Sequence, residues 1–199
     1  MPIPLPQEVT ELAPLAAALD AAEHAERLSW IYRLSGAEQR WLYRLAEGGA
    51  VHADELVGEG VTHHLGRNGL AVFNRFQKRF ARSGDAVVGY NHNPGLIAPL
   101  VGPGHFTAVD SPAVPGEVWI DYRHLPAESH PDFPPLRDNE RGIPALVFGN
   151  MVDVLRRVSA HVTIGNAYKD MPRDDVPGLL ARLGSLLPTA PFVLCRQRP

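Results

Sequence analysis

Apolar residues recur at helical spacing early in the chain and in short, separated runs later. Leu12, Leu15, Leu19, Ala22, Leu28 and Ile31 return every three or four residues or so among Glu, Asp, Arg and Ala, which predicts an amphipathic helix from about Glu8. Pro14 falls inside that run and predicts an irregularity there. Ser35-Gly36-Ala37-Glu38 then has the S-x-x-E form, in which the serine hydroxyl and the glutamate carboxylate each satisfy an exposed amide at a helix start. The helix it opens carries Trp41, Leu42 and Leu45 and is expected to stop at Gly48-Gly49. Ahead of these, the alternating prolines of Met1-Pro2-Ile3-Pro4-Leu5-Pro6 cannot start a helix. Residues 1–7 therefore read as an extended arm, laid over the domain or over a partner.

Beyond Gly66 the texture changes to short apolar runs punctuated by Gly, Pro and Asn. Ala86 to Tyr90, His105 to Val109 and Glu117 to Tyr122 have the β-branched and aromatic content and the turn borders of strands, and Leu146-Val147-Phe148 reads as another. Val152 to Val158 and His161 to Tyr168 form a predicted hairpin turning near Ser159-Ala160, and Phe192 to Arg196 a closing strand. Leu70 to Phe80 fits both periods. Phe73, Phe76 and Phe80 share a helical face, with Arg75, Lys78, Arg79 and Arg82 mostly elsewhere, and the reading favoured here is helix. Residues 171 to 190 are interrupted by Pro and Gly, with a helical stretch around Leu179 to Leu186. Residues 123 to 144 contain five prolines and little periodicity, so they are expected to form a long surface connection of the kind that covers a site.

The 199 residues, 45% of them hydrophobic, suffice for one substantial core, and the pattern is that of a single α+β domain: helices over 8–50, strands over 66–199, the division falling near 50 to 66. Nineteen basic residues against 22 acidic ones leave a net charge of −3, too little positive field for a nucleic-acid or anionic-membrane partner. With Cys195 the only cysteine, neither an internal disulfide nor a zinc ribbon nor a CxxC redox site can form. Beside Leu194 in an apolar run it reads as an inert thiol. No secretory pattern opens the sequence and no run approaches the ~20 apolar residues of a membrane span, so a cytoplasmic location is expected.

Candidate chemistry lies in four segments. His63 and His64 precede the Asn68-Gly69 turn; in extended backbone they point to opposite faces, though a loop with an exposed imidazole is the preferred reading. Gly89-Tyr90-Asn91-His92-Asn93-Pro94-Gly95 and Gly102-Pro103-Gly104-His105-Phe106 set glycines beside aromatic and amide groups, which lets backbone approach a ligand closely. Neither is a phosphate loop. Asp121-Tyr122 ends a predicted strand and, with Asn150, Asp153, Arg156, Arg157 and His161, supplies the groups of an ion-pair network or an anchor. The candidate acid/base residues are thus His64, His105 and Asp121. The candidate ligand-binding residues are Tyr90, Asn91, His105, Phe106, Tyr122, Asn150 and Arg156. Nine histidines show no H-x-x-x-H or H-E-x-x-H spacing, so neither a metal nor a cofactor is expected.

Taken together, Ser35-x-x-Glu38-Gln39, His64-x-Gly66-Arg67-Asn68, Phe76-x-Lys78-Arg79-Phe80, Gly89-Tyr90-Asn91, Gly102-Pro103-Gly104-His105-Phe106, Asp121-Tyr122 and the stretch from Phe148-Gly149-Asn150-Met151 to Ile164-Gly165 resemble a set of uncharacterised bacterial proteins of similar length. Asp153 to Gly165 followed by Pro191 to Arg196 also resembles the lipocalin-like GXWXG-type domains of unknown function, where a hairpin and a closing strand complete a small barrel. This resemblance implies a mainly antiparallel curved sheet or partial lipocalin-like β-barrel after the N-terminal helices. None of Trp30, Trp41 and Trp119 lies between glycines as that motif requires, so the haem site of nitrobindin-like barrels does not carry over.

The leading expectation is a protein that binds an apolar or amphipathic small molecule in a pocket of the strand-rich half, its mouth covered by the proline-rich connection. Two alternatives use the same residues differently. One is an isomerase, cyclase or lyase working through His64, His105 or Asp121, with Tyr90, Asn91 and Arg156 positioning the substrate. The other is an interaction module with Phe73, Phe76 and Phe80 as its docking face, or a homodimer clasped by the proline arm.

Overall fold

The computed structural model describes residues 2–69, 74–93, 101–169 and 191–197. Three helices come first, α1 Leu12–Ala21, α2 His24–Arg33 and α3 Gly36–Leu45. The chain breaks between α1 and α2 rather than at Pro14, which sits in the first turn of α1, where helix amides have no intrahelical acceptor to lose. Two groups make the break. The Glu26 carboxylate accepts from the amide of Glu23 at 2.9 Å, opening α2, and the buried Arg27 guanidinium donates to the carbonyls of Leu19 (3.1 Å) and Ala22, closing α1. The Ser35–Glu38 capping box opens α3 as the sequence predicts: Ser35 N donates to Glu38 Oε2 at 2.6 Å and Glu38 N to Ser35 Oγ at 3.3 Å. Gly48, at φ +78°, follows its end. The arm lies over these helices, with Pro4 accepting from Trp30 Nε1 at 2.9 Å and a 3-10 turn at Pro6–Glu8.

The rest of the described chain is a closed antiparallel barrel of eight strands in sequence order: β1 Thr62–Asn68, β2 Arg75–Ser83, β3 Ala86–His92, β4 His105–Asp110, β5 Val118–Asp121, β6 Met151–Arg157, β7 Val162–Lys169 and β8 Pro191–Arg196, with β8 returning to pair with β1. Closure leaves no unpaired sheet edge. An up-and-down meander sends alternate connections to opposite ends. The short turns at 84–85 and 158–161 share one end with residues 111–117. The long connection 122–150 lies at the other, where β1, β3, β5 and β7 end. The short-turn end is closed by Val51 and a 3-10 turn at Ala53–Leu56, whose apolar side chains join the interior core of Phe80, Val87, Ala108, Val118, Ile120, Leu155 and Leu194.

Outward residues of β7 and β8 meet the helices. Val162, Ile164, Val193 and Cys195 form one buried cluster with Leu15, Leu19, Trp30, Ile31, Leu34 and Leu42. These two strands are thus covered on both faces, which is why β8 reads as a continuous apolar run instead of an alternating one.

Three interior glycines have a packing reason. Gly66, Gly89 and Gly165 face Phe76, Phe106 and Phe192 directly across their strand pairs, and each phenyl ring occupies the space a Cβ would need.

Three expectations are corrected here, and the course of the proline-rich connection is made specific. Residues 75–80 belong to strand β2, paired on both sides, not to a helix; the neighbouring 70–73 lie outside the described residues. Leu146 and Val147 end a one-turn helix, α4 Gly142–Val147, with Phe148 N donating to Pro144 O at 2.7 Å, because no neighbouring strand pairs with this run. His63 and His64 stand on β1, not in a loop, and His64 is buried inside the barrel. The proline-rich connection covers the outside of the barrel before reaching its mouth: Phe133 packs on Tyr90 at 4.9 Å between ring centroids, and Asn139 Nδ2 donates to the carbonyls of His105 (2.6 Å) and Tyr122 (2.9 Å). The predicted helical stretch at 179–186 lies outside the described residues. Among the described residues no helix is long and apolar enough to cross a membrane.

Candidate functional site

Alternation along β2 turns Phe76, Lys78 and Phe80 inward, and this places a lysine among the apolar side chains of the interior. Lys78 is 1% exposed. Its Nζ lies 2.9 Å from Asp153 Oδ2 on β6 and donates to Asn91 Oδ1 on β3 at 2.9 Å and to the Tyr122 hydroxyl just past β5. Tyr122 in turn donates to Asp153 Oδ2 at 3.0 Å and accepts from Asn91 Nδ2 at 2.9 Å, and Asn91 Nδ2 also reaches the carbonyl of Gly104 at 3.2 Å. Groups from β3, from the end of β5 and from β6 thus converge on one amino group carried by β2. The rings of Phe192, Phe106, Tyr122 and Phe76 surround it, with centroids 5.0, 5.1, 5.1 and 5.8 Å from Nζ.

Burial sets the proton affinities in this cluster. Removal from water pushes the Lys78 ammonium below the usual lysine range, against the pull of Asp153. Burial and the Asp153 charge push the Tyr122 hydroxyl well above the ordinary tyrosine value. The cluster lies toward the end of the barrel that carries the long connection, and Phe148, just past α4, caps it there. Its ring stacks on Tyr122 at 5.3 Å and 16°, and covers Gly104, where a Cβ would stand 2.5 Å from the ring; at φ +53° that glycine also takes a backbone conformation other residues avoid. Among the described residues, side chains enclose Lys78, with the Phe148 ring over Tyr122 at this end.

Of the residues singled out from sequence, Asn91, Phe106, Tyr122 and Asp153 meet at Lys78. The others do not. His64 faces inward, but its Nε2 donates to the carbonyl of Leu56 at 2.9 Å, toward the closed end. His105 points outward under the 123–141 connection, with Nε2 donating to the carbonyl of Pro135 at 3.2 Å, and Tyr90 lies beside it, its hydroxyl accepting from Arg79 at 3.1 Å. Asp121 is bound to Arg123 and His124. Burial raises its proton affinity, yet these bonds outweigh that and hold the carboxyl below the usual range. Asn150, at φ +50°, turns the chain into β6. His64, His105 and Asp121 therefore share no cavity. Phe76 and Phe80 line the interior and form no docking face, and Phe73 lies outside the described residues.

Arg156 lines a second space, an open cleft of about 470 Å³ on the outside of β5–β7, walled by Tyr43, Trp119, Val154 and Tyr168. Its polar groups satisfy one another. Arg156 Nε pairs with Glu117 at 2.8 Å, its guanidinium lies 4.1 Å from the centroid of the Tyr43 ring, and the Tyr43 and Tyr168 hydroxyls are 3.3 Å apart.

The sequence reading missed Lys78 as a site residue and placed Asp153 only in a possible ion-pair network. One signal was available: 17 of the 19 basic residues are arginines, and the two lysines, Lys78 and Lys169, both fall on inward positions of the barrel. Among the described residues no cluster of three or more His, Cys, Asp or Glu side chains is arranged to hold a metal. No protein-family model, curated protein or solved structure matches the chain.

His64 makes the barrel acid-sensitive. Burial, the largest influence, lowers its pKa from the ordinary 6.5 to about 4, so the folded protein keeps the ring neutral where the unfolded chain protonates it. Its contribution to stability is complete above pH 6.5 and is lost as the pH falls through about 4. Urea midpoints measured across this window are expected to fall more steeply for the wild type than for His64→Gln.

Proposed function

We propose that this protein binds an amphipathic small molecule through the long-connection end of its barrel, a lipocalin-like use of the interior. The ligand's apolar body replaces Phe148 against Val147 and Met151, and an oxygen-bearing head group reaches Lys78. The observation that carries this reading is Lys78 itself. A lysine enclosed inside a barrel, where apolar side chains would pack without cost, stands there against a desolvation penalty of roughly several kcal/mol per ion. Its partners supply both donors and acceptors in a small volume, which suits recognition of one polar group at the end of an apolar chain.

Asp153 already balances the charge of Lys78, so the head group favoured is a neutral hydroxyl or carbonyl and not a carboxylate. Thermal unfolding in the presence of 1-decanol is expected to shift Tm upward, and decanoate at the same concentration is expected to shift it less. Phe148→Leu, which keeps an apolar cover but removes the stack on Tyr122, is expected to raise the affinity for 1-decanol. If 1-decanol stabilises neither the wild type nor Phe148→Leu, the reading is wrong.

A further inference from the structure

We propose that Lys78 captures a carbonyl compound covalently, its Nζ attacking an aldehyde or ketone carbon to form an imine beside Asp153 and Tyr122. This rests on the reading of the barrel interior as the ligand site and narrows the head group to a carbonyl.

Three observations converge. The first is the choice of cation. The chain uses arginine at 17 of 19 basic positions, yet the cation enclosed by rings inside the barrel is a lysine. A guanidinium keeps its proton in any protein environment, whereas an ammonium can lose one and become a nucleophile. The second is the adjacent proton acceptor. Asp153 Oδ2 lies 2.9 Å from Nζ, and the Tyr122 hydroxyl touches both groups, so a proton leaving the nitrogen has a place to go and a donor stands beside the carbonyl oxygen. The third is the dry surround of Phe76, Phe106 and Phe192, which keeps out the water that would hydrolyse an imine. Burial weakens the hold of Lys78 on its proton in the same direction.

The steps balance without an oxidant or reductant. Asp153 takes one proton from the ammonium. The freed lone pair forms the C–N bond as the C=O π pair moves to oxygen, which takes the proton held by Asp153, passed through the Tyr122 hydroxyl. The second proton of the nitrogen follows to that oxygen by the same route, water leaves with the C–O bonding pair, and the nitrogen lone pair forms C=N while the third proton stays on nitrogen. The sum is one ammonium and one carbonyl compound giving one protonated imine, its charge still facing the Asp153 carboxylate, and one water.

The test uses the unchanged chain, with Lys169→Arg as its one control variant. The protein is incubated with decanal and sodium cyanoborohydride, which reduces an imine to a stable secondary amine, and the adduct is located by peptide mapping. Two lysine side chains and the N-terminal amine are the only amines present. The expected result is one decyl adduct, on Lys78, formed equally by Lys169→Arg and suppressed by 1-decanol. Labelling confined to Lys169 or the N-terminus, with 1-decanol still raising Tm, would overturn the imine and leave the binding reading standing. Absence of both Lys78 labelling and 1-decanol binding would overturn both.

Discussion

Replacing Asp153 by alanine is expected to destabilise the protein by about 3 to 5 kcal/mol, the range for removing one partner of a buried ion pair. The reason lies in what remains. Lys78 Nζ keeps its bonds to Asn91 and Tyr122, but both acceptors are neutral, and an ammonium 1% exposed is left without its counter-charge and out of reach of bulk solvent. The double variant Lys78→Met/Asp153→Leu removes both charges and fills similar volume, so it is expected to recover most of the loss. Asn91 Nδ2 can still bond to Tyr122 and Gly104, leaving few orphaned polar atoms. Urea unfolding checks this: the midpoint falls in the single variant with m unchanged and returns in the double. A double variant as unstable as the single would mean that shape, and not charge, dominates at this site. The contrast separates the charge of the pair from its shape: a double variant close to the wild type would mean that stability does not require the ions.

The second large effect is expected at the interior glycines. A Cβ on Gly165 would stand 2.3 Å from Phe192 Cζ and 2.7 Å from Leu155 Cδ2, both side-chain atoms. On Gly89 it would meet the Phe106 ring at 2.3 Å and also the backbone carbonyl of Arg79 at 2.5 Å. Overpacking of this kind costs about 1 to 3 kcal/mol and more where nothing can move. Gly165→Ala is therefore expected to fall in that range and to be partly rescued by Phe192→Leu, which withdraws the ring. Gly89→Ala is expected to exceed it and to resist rescue by Phe106→Leu, because the strand backbone cannot retreat without breaking the β2–β3 pairing at Phe80 and Gly89. Denaturation midpoints of the two single and two double variants decide between these outcomes.

Both effects centre on the same layer of the barrel, and that layer was only half legible in the sequence. Asn91, Phe106 and Tyr122 stood out because glycines and turn residues flank them, and all three do meet at Lys78. Lys78 escaped notice because Phe73, Phe76 and Phe80 happen to satisfy helical spacing, so the lysine was assigned to a basic face. The strand pattern Phe76-Lys78-Phe80 breaks the usual alternation at its most informative position, where a charge occupies an apolar slot. Local patterns are weakest at such positions, since the partner that justifies the charge, Asp153, lies 75 residues away. His105, Asp121 and Arg156 failed to join the cluster for a plainer reason: each sits at an odd register relative to it, and a one-residue offset in a strand turns the side chain outward.

The sequence by itself determined the elements whose signals are local: the Ser35–Glu38 helix start, the division into helices and strands, and the strand runs at β3 to β8 other than their exact ends. Hydrogen bonds between residues three apart, or apolar alternation over five, suffice for these. Tertiary structure alone decided that residues 75–83 are a strand, that Leu146 and Val147 are helical, and that the sheet closes on itself. Above all it decided that a lysine, an aspartate, a tyrosine and an asparagine from distant segments face one another inside it. Closure and inward register are properties of all eight strands together, and only when they are fixed does the burial of Lys78 acquire a partner and a chemical meaning.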